Sequence, residues 1–121
     1  MAQIIKLPTI SDNRGSLTVL EKVLPFEIKR IFHIYNCTDQ DRGGHRHKKT
    51  YLAIICIQGS CIIDCNNGTH RDTFLLKEPD TALLLLPEDY HTMHSFNNNA
   101  ILLVLASEYY DPEDYIYNDY I

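Results

Sequence analysis

Long hydrophobic runs and dense basic blocks are both missing from this sequence. The longest apolar runs, such as residues 82–86, are far shorter than the roughly 20 residues that a membrane-spanning helix needs. Lys and Arg together number 11 against 16 Asp and Glu, which gives a formal net charge of −5. Nucleic-acid-binding proteins usually present a basic field, so this balance disfavours that class. We therefore expect neither a membrane nor a nucleic-acid partner.

Cysteine is scarce, and its spacing argues against the usual cysteine clusters. The four cysteines form no CxxC pair, and Cys56 and Cys61 lie within apolar runs. We interpret these two as small core residues and not as zinc ligands or disulfide partners. The amino-terminal residues lack the apolar stretch of a secretory signal, so the expected compartment is the cytoplasm, where thiols stay reduced.

What the sequence does contain is a series of short alternating runs separated by turn residues, which is the pattern of β-strands. Asp111 followed by Pro112 is typical of a helix start and predicts a short C-terminal helix. One all-β domain spanning residues 1–121 is therefore expected, as a closed or nearly closed barrel or as an immunoglobulin-type sandwich. The predicted strands are residues 16–20, 28–35, 51–57, 60–65, 72–76, 82–86 and 100–106.

Four of the six histidines occur in two close pairs, His45 with His47 and His91 with His94. Alternate residues of a strand project to the same face, so His45 and His47 should point together and Arg46 should point away. A solvated polar strand end would show the same pattern. Histidine titrates near neutral pH, however, so two rings on one face are also suited to acid–base catalysis.

The order of the motifs is informative as well. The His-x-His motif at 45–47, followed by Gly59 and then by the Pro…His spacing of 87–91, is the layout of the cupin barrel. Metal-binding cupins carry a carboxylate four or five residues after the second histidine, where this chain has Tyr51 and Leu52. We therefore expect no metal ion, and a metal-dependent oxygenase becomes a weaker alternative.

Six segments, spread in order over nearly the whole chain, resemble the dTDP-4-keto-6-deoxyglucose 3,4-ketoisomerases, a metal-independent cupin family related to the dTDP-sugar 3,5-epimerases. The most specific are Arg-Gly-x-His-x-His-Lys in 42–49 and Ala-Ser-x-Tyr-Tyr-Asp in 104–111. The resemblance implies a cupin jelly-roll barrel that works without a cofactor, as a homodimer in which amino-terminal strands can be exchanged. The other matching segments are residues 12–17, 25–30, 59–61 and 91–96.

The resemblance also implies an activity, namely moving the carbonyl of dTDP-4-keto-6-deoxy-D-glucose from C4 to C3 through an enediol. His45 and His47 would act as the catalytic acid and base. The dTDP-3-keto-6-deoxyhexose product would then pass to an aminotransferase in deoxyamino-sugar biosynthesis for a surface polysaccharide, such as an O-antigen or S-layer glycan. A related dTDP-sugar epimerase, a metal-dependent cupin oxygenase and a non-catalytic sugar-nucleotide sensor remain alternatives.

Substrate binding is expected from a further group of residues. Arginine makes bidentate contacts with phosphate oxygens, so arginines are expected at the diphosphate. Other donors would stabilise the enediolate. The residues assigned are Arg14, Arg30 and Arg42 for the diphosphate, His33, Tyr35 and Arg42 for the enediolate, Tyr90 for stacking on the base or sugar, and His91 and His94 for the pocket and its rim.

Three positions depart from the family pattern. Arg46 stands where the family usually has Ala, but a long side chain on the outward face should be tolerated. His33 stands where the family tends to have a tyrosine or another aromatic residue, so it is expected to enter the pocket in place of a phenol. Tyr90 stands where Trp is common, and it still permits stacking.

Overall fold

The chain folds into ten β-strands and one short 3₁₀ turn, Pro112–Asp114, in a computed structural model that describes residues 1–120. The all-β prediction is therefore confirmed. Within residues 1–120 no helix is long and apolar enough to cross a membrane. The strands are β1 (Gln3–Lys6), β2 (Thr9–Asp12), β3 (Gly15–Thr18), β4 (Arg30–Ile34), β5 (Arg42–His47), β6 (Leu52–Asn66), β7 (Arg71–Leu76), β8 (Thr81–Leu85), β9 (Tyr90–Ala106) and β10 (Tyr115–Ile116).

Two long strands, β6 and β9, organise the fold because each takes part in two layers. They pair with each other antiparallel, from Leu52 opposite Ala106 to Asn66 opposite Tyr90. The first half of β6 also pairs with β8, whereas its second half pairs with β7. The predicted strands 51–57 and 60–65 are therefore one continuous strand, and the predicted strand 100–106 is only the end of β9.

Gly59 lies between the two halves of β6, where the sequence predicts a turn. Its φ is +71°, and a Cβ there would lie 2.2 Å from the Asn97 carbonyl oxygen, so only glycine fits. The pairing register with β9 shifts repeatedly between Cys56 and Ile62. Such bulges bend a strand and increase its twist, which lets β6 pass from one layer to the other.

The strands form two antiparallel layers that share β6 and β9. One layer contains β1, β8, β6, β9 and β4, and the other contains β7, β6, β9, β5 and β10. Cys56 and Cys61 belong to the buried core, as predicted, and both are free thiols. This arrangement is a jelly roll, so that prediction is confirmed against the immunoglobulin-type alternative. The core also includes Ile54, Ile63, Leu83, Leu102 and Val104, all fully buried.

The predicted C-terminal helix is wrong, because only a single 3₁₀ turn forms. Asp111 does cap that turn, since its Oδ1 accepts a hydrogen bond from the Glu113 backbone N–H at 3.0 Å. The chain then becomes extended, and β10 pairs antiparallel with β5, with Tyr115 opposite His47. Pairing with β5 therefore outweighs the local helix-start signal.

The β2–β3 hairpin stands apart from both layers as a two-stranded sheet of its own. Its turn follows Asp12, and Ile10 lies opposite Leu17 in the ladder. Both apolar side chains are exposed, at 67% for Ile10 and 58% for Leu17. A lone two-stranded hairpin is marginally stable in water, so this arm needs packing from elsewhere.

Candidate active site

A glycine bulge in β5 sets the position of the first histidine. Gly43 and Gly44 have φ values of +81° and +79°, and a Cβ on Gly43 would lie 2.8 Å from the His91 carbonyl oxygen. The pairing register shifts at this point, so that His45 lies opposite His91 of β9. Glycine is required here because the left-handed backbone and the close approach of β9 leave no room for a side chain.

Three histidine rings meet inside the barrel. The ring centroid of His45 lies 5.0 Å from that of His47 and 4.8 Å from that of His91. Arg46 points away, as strand alternation predicts, and its guanidinium carbon lies 4.2 Å from the centre of the Tyr120 ring. The histidines line a cavity of about 180 Å³ whose other walls are Phe32, Ile34, Arg42, Gly43, Leu52, Met93, Val104 and Tyr115.

His91 is anchored through one ring nitrogen and keeps the other free. The side chain is buried, and its Nδ1 lies 3.1 Å from the Asp89 carbonyl oxygen. A carbonyl only accepts, so Nδ1 carries the proton and Nε2 presents a lone pair. Nε2 is buried and has no hydrogen-bond partner among residues 1–120. Burial, with a smaller contribution from His45, lowers the pKa of His91 to about 3, so the ring is neutral at neutral pH.

The other two rings are also held in their neutral form. Burial and then repulsion from His45 lower the pKa of His47 to about 4, while Asp114 opposes the shift and Arg30 adds to it. Burial likewise lowers the pKa of His45, against an opposing hydrogen bond to the Gly43 backbone. A neutral imidazole is ready to accept a proton, as a general base must.

Asp114 fixes the chain immediately after His47, a role that sequence reasoning missed. Its carboxylate accepts hydrogen bonds from the backbone N–H groups of Lys48 and Lys49, at 3.1 and 2.8 Å, and from the Thr50 hydroxyl. Burial would raise the pKa of Asp114, but these hydrogen bonds and the nearby His47 hold it below its usual value. The sequence marked this region only as a helix start.

Tyr115 and Tyr117 form an aromatic wall beside the histidines and were also missed. The Tyr115 ring centroid lies 4.8 Å from those of both His45 and His47. Tyr117 stacks on Tyr115 at 6.2 Å and remains 67% exposed. The only signal in the sequence was the density of tyrosines near the C-terminus, which does not reveal which ring enters the cavity.

Comparisons with known proteins agree with this geometry. The model of the FdtA family, described as WxcM-like, C-terminal, matches residues 1–121. The chain belongs to this family. A curated relative, the TDP-4-oxo-6-deoxy-alpha-D-glucose-3,4-oxoisomerase of Aneurinibacillus thermoaerophilus, is 38% identical over 117 residues, which cover 94% of this chain and 84% of the relative.

Solved structures with the same fold include proteins that are named 3,4-ketoisomerases. The WlaRB TDP-quinovose 3,4-ketoisomerase from Campylobacter jejuni is 41% identical, with a TM-score of 0.92 over 97% of this chain and 92% of its own. A histidine-to-asparagine variant of the 3,4-ketoisomerase QdtA from Thermoanaerobacterium thermosaccharolyticum, in complex with TDP-4-keto-6-deoxyglucose, is 38% identical, with a TM-score of 0.92 over 97% and 87%. The family predicted from the sequence is therefore confirmed.

The three arginines predicted to bind substrate lie in different places. Arg42 lines the histidine cavity from the first position of β5. Arg30 is not among the residues that line the cavity, but its guanidinium carbon lies 5.4 Å from the ring centre of Phe32, which does line it. Arg14 lies on the β2–β3 hairpin, pairs with Asp12 at 2.6 Å and has an 86% exposed side chain. The structure therefore does not bring Arg14 to the cavity of its own chain.

His33 and Tyr35 are also outside the histidine cavity, because they alternate with Phe32 and Ile34, which line it. Their rings stack at 5.2 Å and line a groove of about 420 Å³ that includes Cys37. Strand alternation thus corrects the expectation that His33 replaces a phenol in the pocket. The smaller cavity is the candidate active site because the histidines with lowered pKa values converge there.

Tyr90 and His94 lie away from the cavity on β9. Tyr90 lines a separate groove of about 300 Å³ together with Asp64. The His94 Nε2 lies 2.7 Å from a carboxylate oxygen of Asp64, and its Nδ1 lies 2.9 Å from the Ser95 hydroxyl. The second histidine pair is thus divided: His91 enters the cavity, while His94 belongs to a surface hydrogen-bond network and not to the cavity rim.

Beside its three histidines, the cavity has no carboxylate among the residues that line it. Within residues 1–120 no group of three or more His, Cys, Asp or Glu side chains is arranged to hold a metal ion. Leu52, in the position where metal-binding cupins place a carboxylate, forms an apolar part of the cavity wall. Hard and borderline metal ions need oxygen or nitrogen donors, which leucine does not provide.

Proposed function

We propose that this chain is a 3,4-ketoisomerase that converts TDP-4-keto-6-deoxyglucose to a TDP-3-keto-6-deoxyhexose. The convergence of His45, His47 and His91 on one cavity carries the proposal, because it supplies neutral imidazoles for proton transfer. The class of substrate is inferred from relatives of this chain that are 38 and 41% identical to it.

The reaction requires proton transfers between adjacent carbons and no net oxidation. A base removes the C3 proton, and the electrons of that C–H bond form a C3=C4 double bond while the negative charge collects on O4. The proton on O3 then moves to O4 as the carbonyl forms at C3, and an acid delivers a proton to C4. Substrate and product are isomers, so no electron acceptor is consumed.

We assign the base to His47 and the acid to His45. The charge of Asp114 favours the protonated form of His47, which is the form that exists after a proton has been taken from carbon. The two ring centroids are 5.0 Å apart, which suits proton transfer at two neighbouring carbons of one sugar ring. His91, with its proton on Nδ1, accepts a hydrogen bond from a sugar hydroxyl through Nε2.

The cavity is sized for the sugar alone. Its volume of about 180 Å³ lies below the roughly 300–1,000 Å³ that typical ligand pockets have. The hexose therefore enters, and the nucleoside diphosphate stays outside the mouth. Arg42 is exposed at that mouth, where its guanidinium can contact the diphosphate oxygens.

We further propose that the protein works as a homodimer. The β2–β3 hairpin exposes the apolar pair Ile10 and Leu17 and packs into neither layer of its own chain. A second copy that covers this pair would stabilise the hairpin, and Arg14 at its turn would then reach the partner's substrate. The family resemblance likewise implies a homodimer in which amino-terminal strands can be exchanged.

Replacing both Ile10 and Leu17 by Asn tests the dimer. Sedimentation velocity should give a dimer for the wild-type chain and a monomer for the double variant, because two buried apolar contacts become polar. A double variant with Asn at Ile57 and Leu75, exposed apolar positions outside the hairpin, is the control and should remain dimeric. A monomeric wild-type chain at micromolar concentration would refute the proposal.

The cytoplasm is the compartment that we propose for this reaction. All four cysteines are free, and Cys56, Cys61 and Cys65 are buried. Free thiols are typical of a reducing compartment. Cell fractionation that recovers the protein outside the cytoplasm would contradict this location.

The activity itself is tested by ¹H NMR of TDP-4-keto-6-deoxyglucose incubated with the purified protein in D₂O. The proposal predicts that the C4 carbonyl is lost, that a C3 carbonyl appears and that deuterium enters C4. An epimerase would exchange C3 and C5 without moving the carbonyl, and a sensor would leave the spectrum unchanged over hours. A rate that collapses with a strong chelator and returns with iron would indicate the oxygenase alternative.

A further inference from the structure

We propose that Arg30 is the group that stabilises the enediolate oxygen during catalysis, and that it is not a ligand of the diphosphate. This inference rests on the proposed ketoisomerase activity and names a further catalytic residue for it. It is carried by a guanidinium group whose Nε is buried and has no hydrogen-bond partner among residues 1–120, on a strand whose alternate residues Phe32 and Ile34 line the histidine cavity.

The position of Arg30 follows from strand alternation in β4. Arg30, Phe32 and Ile34 are alternate residues, and Phe32 and Ile34 line the histidine cavity. The guanidinium carbon of Arg30 lies 5.4 Å from the ring centre of Phe32 and 5.8 Å from that of Tyr110. The charged group therefore lies near two aromatic rings, one of which, Phe32, lines the cavity.

The guanidinium group has no anionic partner in the described part of the chain. Its Nε is buried and has no hydrogen-bond partner, and none of the ion pairs formed by residues 1–120 includes Arg30. A buried N–H donor without an acceptor is costly, so each such group in a native structure calls for an explanation such as a functional role. A transient anion in the cavity would satisfy the charge only while the reaction proceeds.

Two observations favour the enediolate over the diphosphate as that anion. The charge of Arg30 contributes to the lowered pKa of His47, so the guanidinium lies within electrostatic reach of the base. Arg42, in contrast, lies exposed at the mouth, where the diphosphate would lie. The anion that forms next to the base is the one created when the base takes a proton from carbon.

The step balances without a further reactant. His47 takes the C3 proton and becomes an imidazolium, the C–H electron pair becomes the C3=C4 π bond, and the former carbonyl pair remains on O4 as an oxyanion. Arg30 donates N–H hydrogen bonds to that oxyanion and stays protonated throughout. A preformed donor of this kind costs no reorganisation when the charge appears, which is why such groups accelerate proton abstraction next to a carbonyl.

The test compares Arg30→Gln and Arg30→Lys with Lys29→Gln, the control that removes the adjacent cation of the Lys29–Glu108 ion pair. Four quantities are measured for each protein: kcat, deuterium entry at C3 of the substrate, the Kd for TDP by calorimetry, and Tm. For Arg30→Gln, kcat and C3 exchange should fall about 10²–10³-fold, the loss typical of an oxyanion donor. Arg30→Lys should be intermediate, and Lys29→Gln should match the wild type.

TDP affinity and Tm separate the proposal from its rivals. The Kd for TDP should stay within about threefold in Arg30→Gln, because the proposal places no phosphate contact there. Its Tm should equal or exceed that of the wild type, since a buried N–H donor without an acceptor has been removed. A loss of TDP affinity of about tenfold or more would make Arg30 a diphosphate ligand. A lower Tm, failure to fold or an unchanged kcat would also overturn the inference.

Measuring the wild-type protein in parallel distinguishes a failure of the proposed function from a failure of the Arg30 assignment. If it does not move the carbonyl, the proposed function fails. If it does move the carbonyl and Arg30→Gln does so at the same rate, only the assignment of Arg30 fails.

Discussion

His91 and His94 lie three residues apart on β9, yet they face opposite environments. His91 is buried in the cavity, donates from Nδ1 to a backbone carbonyl and leaves Nε2 without a partner among residues 1–120. His94 is partly exposed and uses both ring nitrogens, one with Asp64 and one with Ser95. The comparison teaches that a histidine becomes available for substrate when its strand face is buried and its second nitrogen is left free.

The same contrast separates the two kinds of electrostatics in the molecule. Inside, the pKa values of His45, His47 and His91 are lowered by burial more than by any other cause. Outside, His94 has a carboxylate oxygen 2.7 Å away. Burial prepares neutral rings that can take a proton, whereas the outer ring is held by hydrogen bonds at the surface.

The largest effect is expected from the inner pair of the His-x-His motif. His45→Asn and His47→Asn should each lower kcat by about 10²–10⁴-fold, because Asn hydrogen-bonds but does not titrate at neutral pH. Both variants should bind TDP normally in calorimetry and retain the wild-type circular dichroism spectrum. Wild-type turnover in both folded variants would reduce the motif to a solvated strand end.

Acid should destabilise the protein through the inner histidines. A histidine with a pKa near 6.5 when unfolded, but about 4 for His47 and about 3 for His91 when folded, binds more protons in the unfolded state within that interval. The contribution of these two histidines to the free energy of unfolding is therefore complete above pH 6.5, and it is lost as the pH drops towards the folded pKa values. The steepest slope should be about 1.4 kcal/mol per pH unit for each histidine. Urea titrations of wild type and His91→Phe from pH 7 to pH 5 measure it, and equal slopes would contradict the account.

A moderate effect is expected from the residue that fixes the chain after His47. Asp114→Ala removes the acceptor for Lys48, Lys49 and Thr50 and should lower the free energy of unfolding by about 1–3 kcal/mol. Glu113→Ala, one position earlier in the same 3₁₀ turn, is the control and should change stability by less than about 0.5 kcal/mol. Urea denaturation distinguishes the two, and equal losses would show that Asp114 has no special role.

The smallest effect is expected on the outer face. His94→Asn should leave kcat and KM within about twofold of the wild-type values, because a residue that touches neither substrate nor cavity adds little to transition-state binding. Asp64→Asn should behave in the same way. A rate loss in both variants comparable to that of His47→Asn would merge the two regions into one site.

Much of this arrangement follows from local sequence patterns. Alternation correctly placed Arg46 opposite its two neighbouring histidines, and apolar spacing placed Cys56 and Cys61 in the core. Alternation also explains why His33 stays out of the cavity: Phe32 occupies the inward position of β4. The family resemblance had assigned His33 to substrate without reference to its strand face.

The features that sequence reasoning missed depend on contacts between distant segments. Asp114 bonds residues more than sixty positions earlier in the chain, and no local pattern announces such a partner. The expected helix after Asp111 failed for the same reason, because β10 gains its pairing from β5. The residues around Gly59 predict a turn, whereas β6 continues there through a bulge, because the close approach of Asn97 is not visible in the sequence.

The most direct test of the central claim is deuterium entry into C3 of TDP-4-keto-6-deoxyglucose in D₂O, followed by ¹H NMR. The claim is that proton transfer takes place at the inner histidines and that His47 removes the C3 proton. The account predicts exchange in the wild-type protein and in His94→Asn, loss of exchange in His47→Asn, and retained exchange with blocked product formation in His45→Asn. Exchange that persists in His47→Asn and disappears in His94→Asn would contradict it.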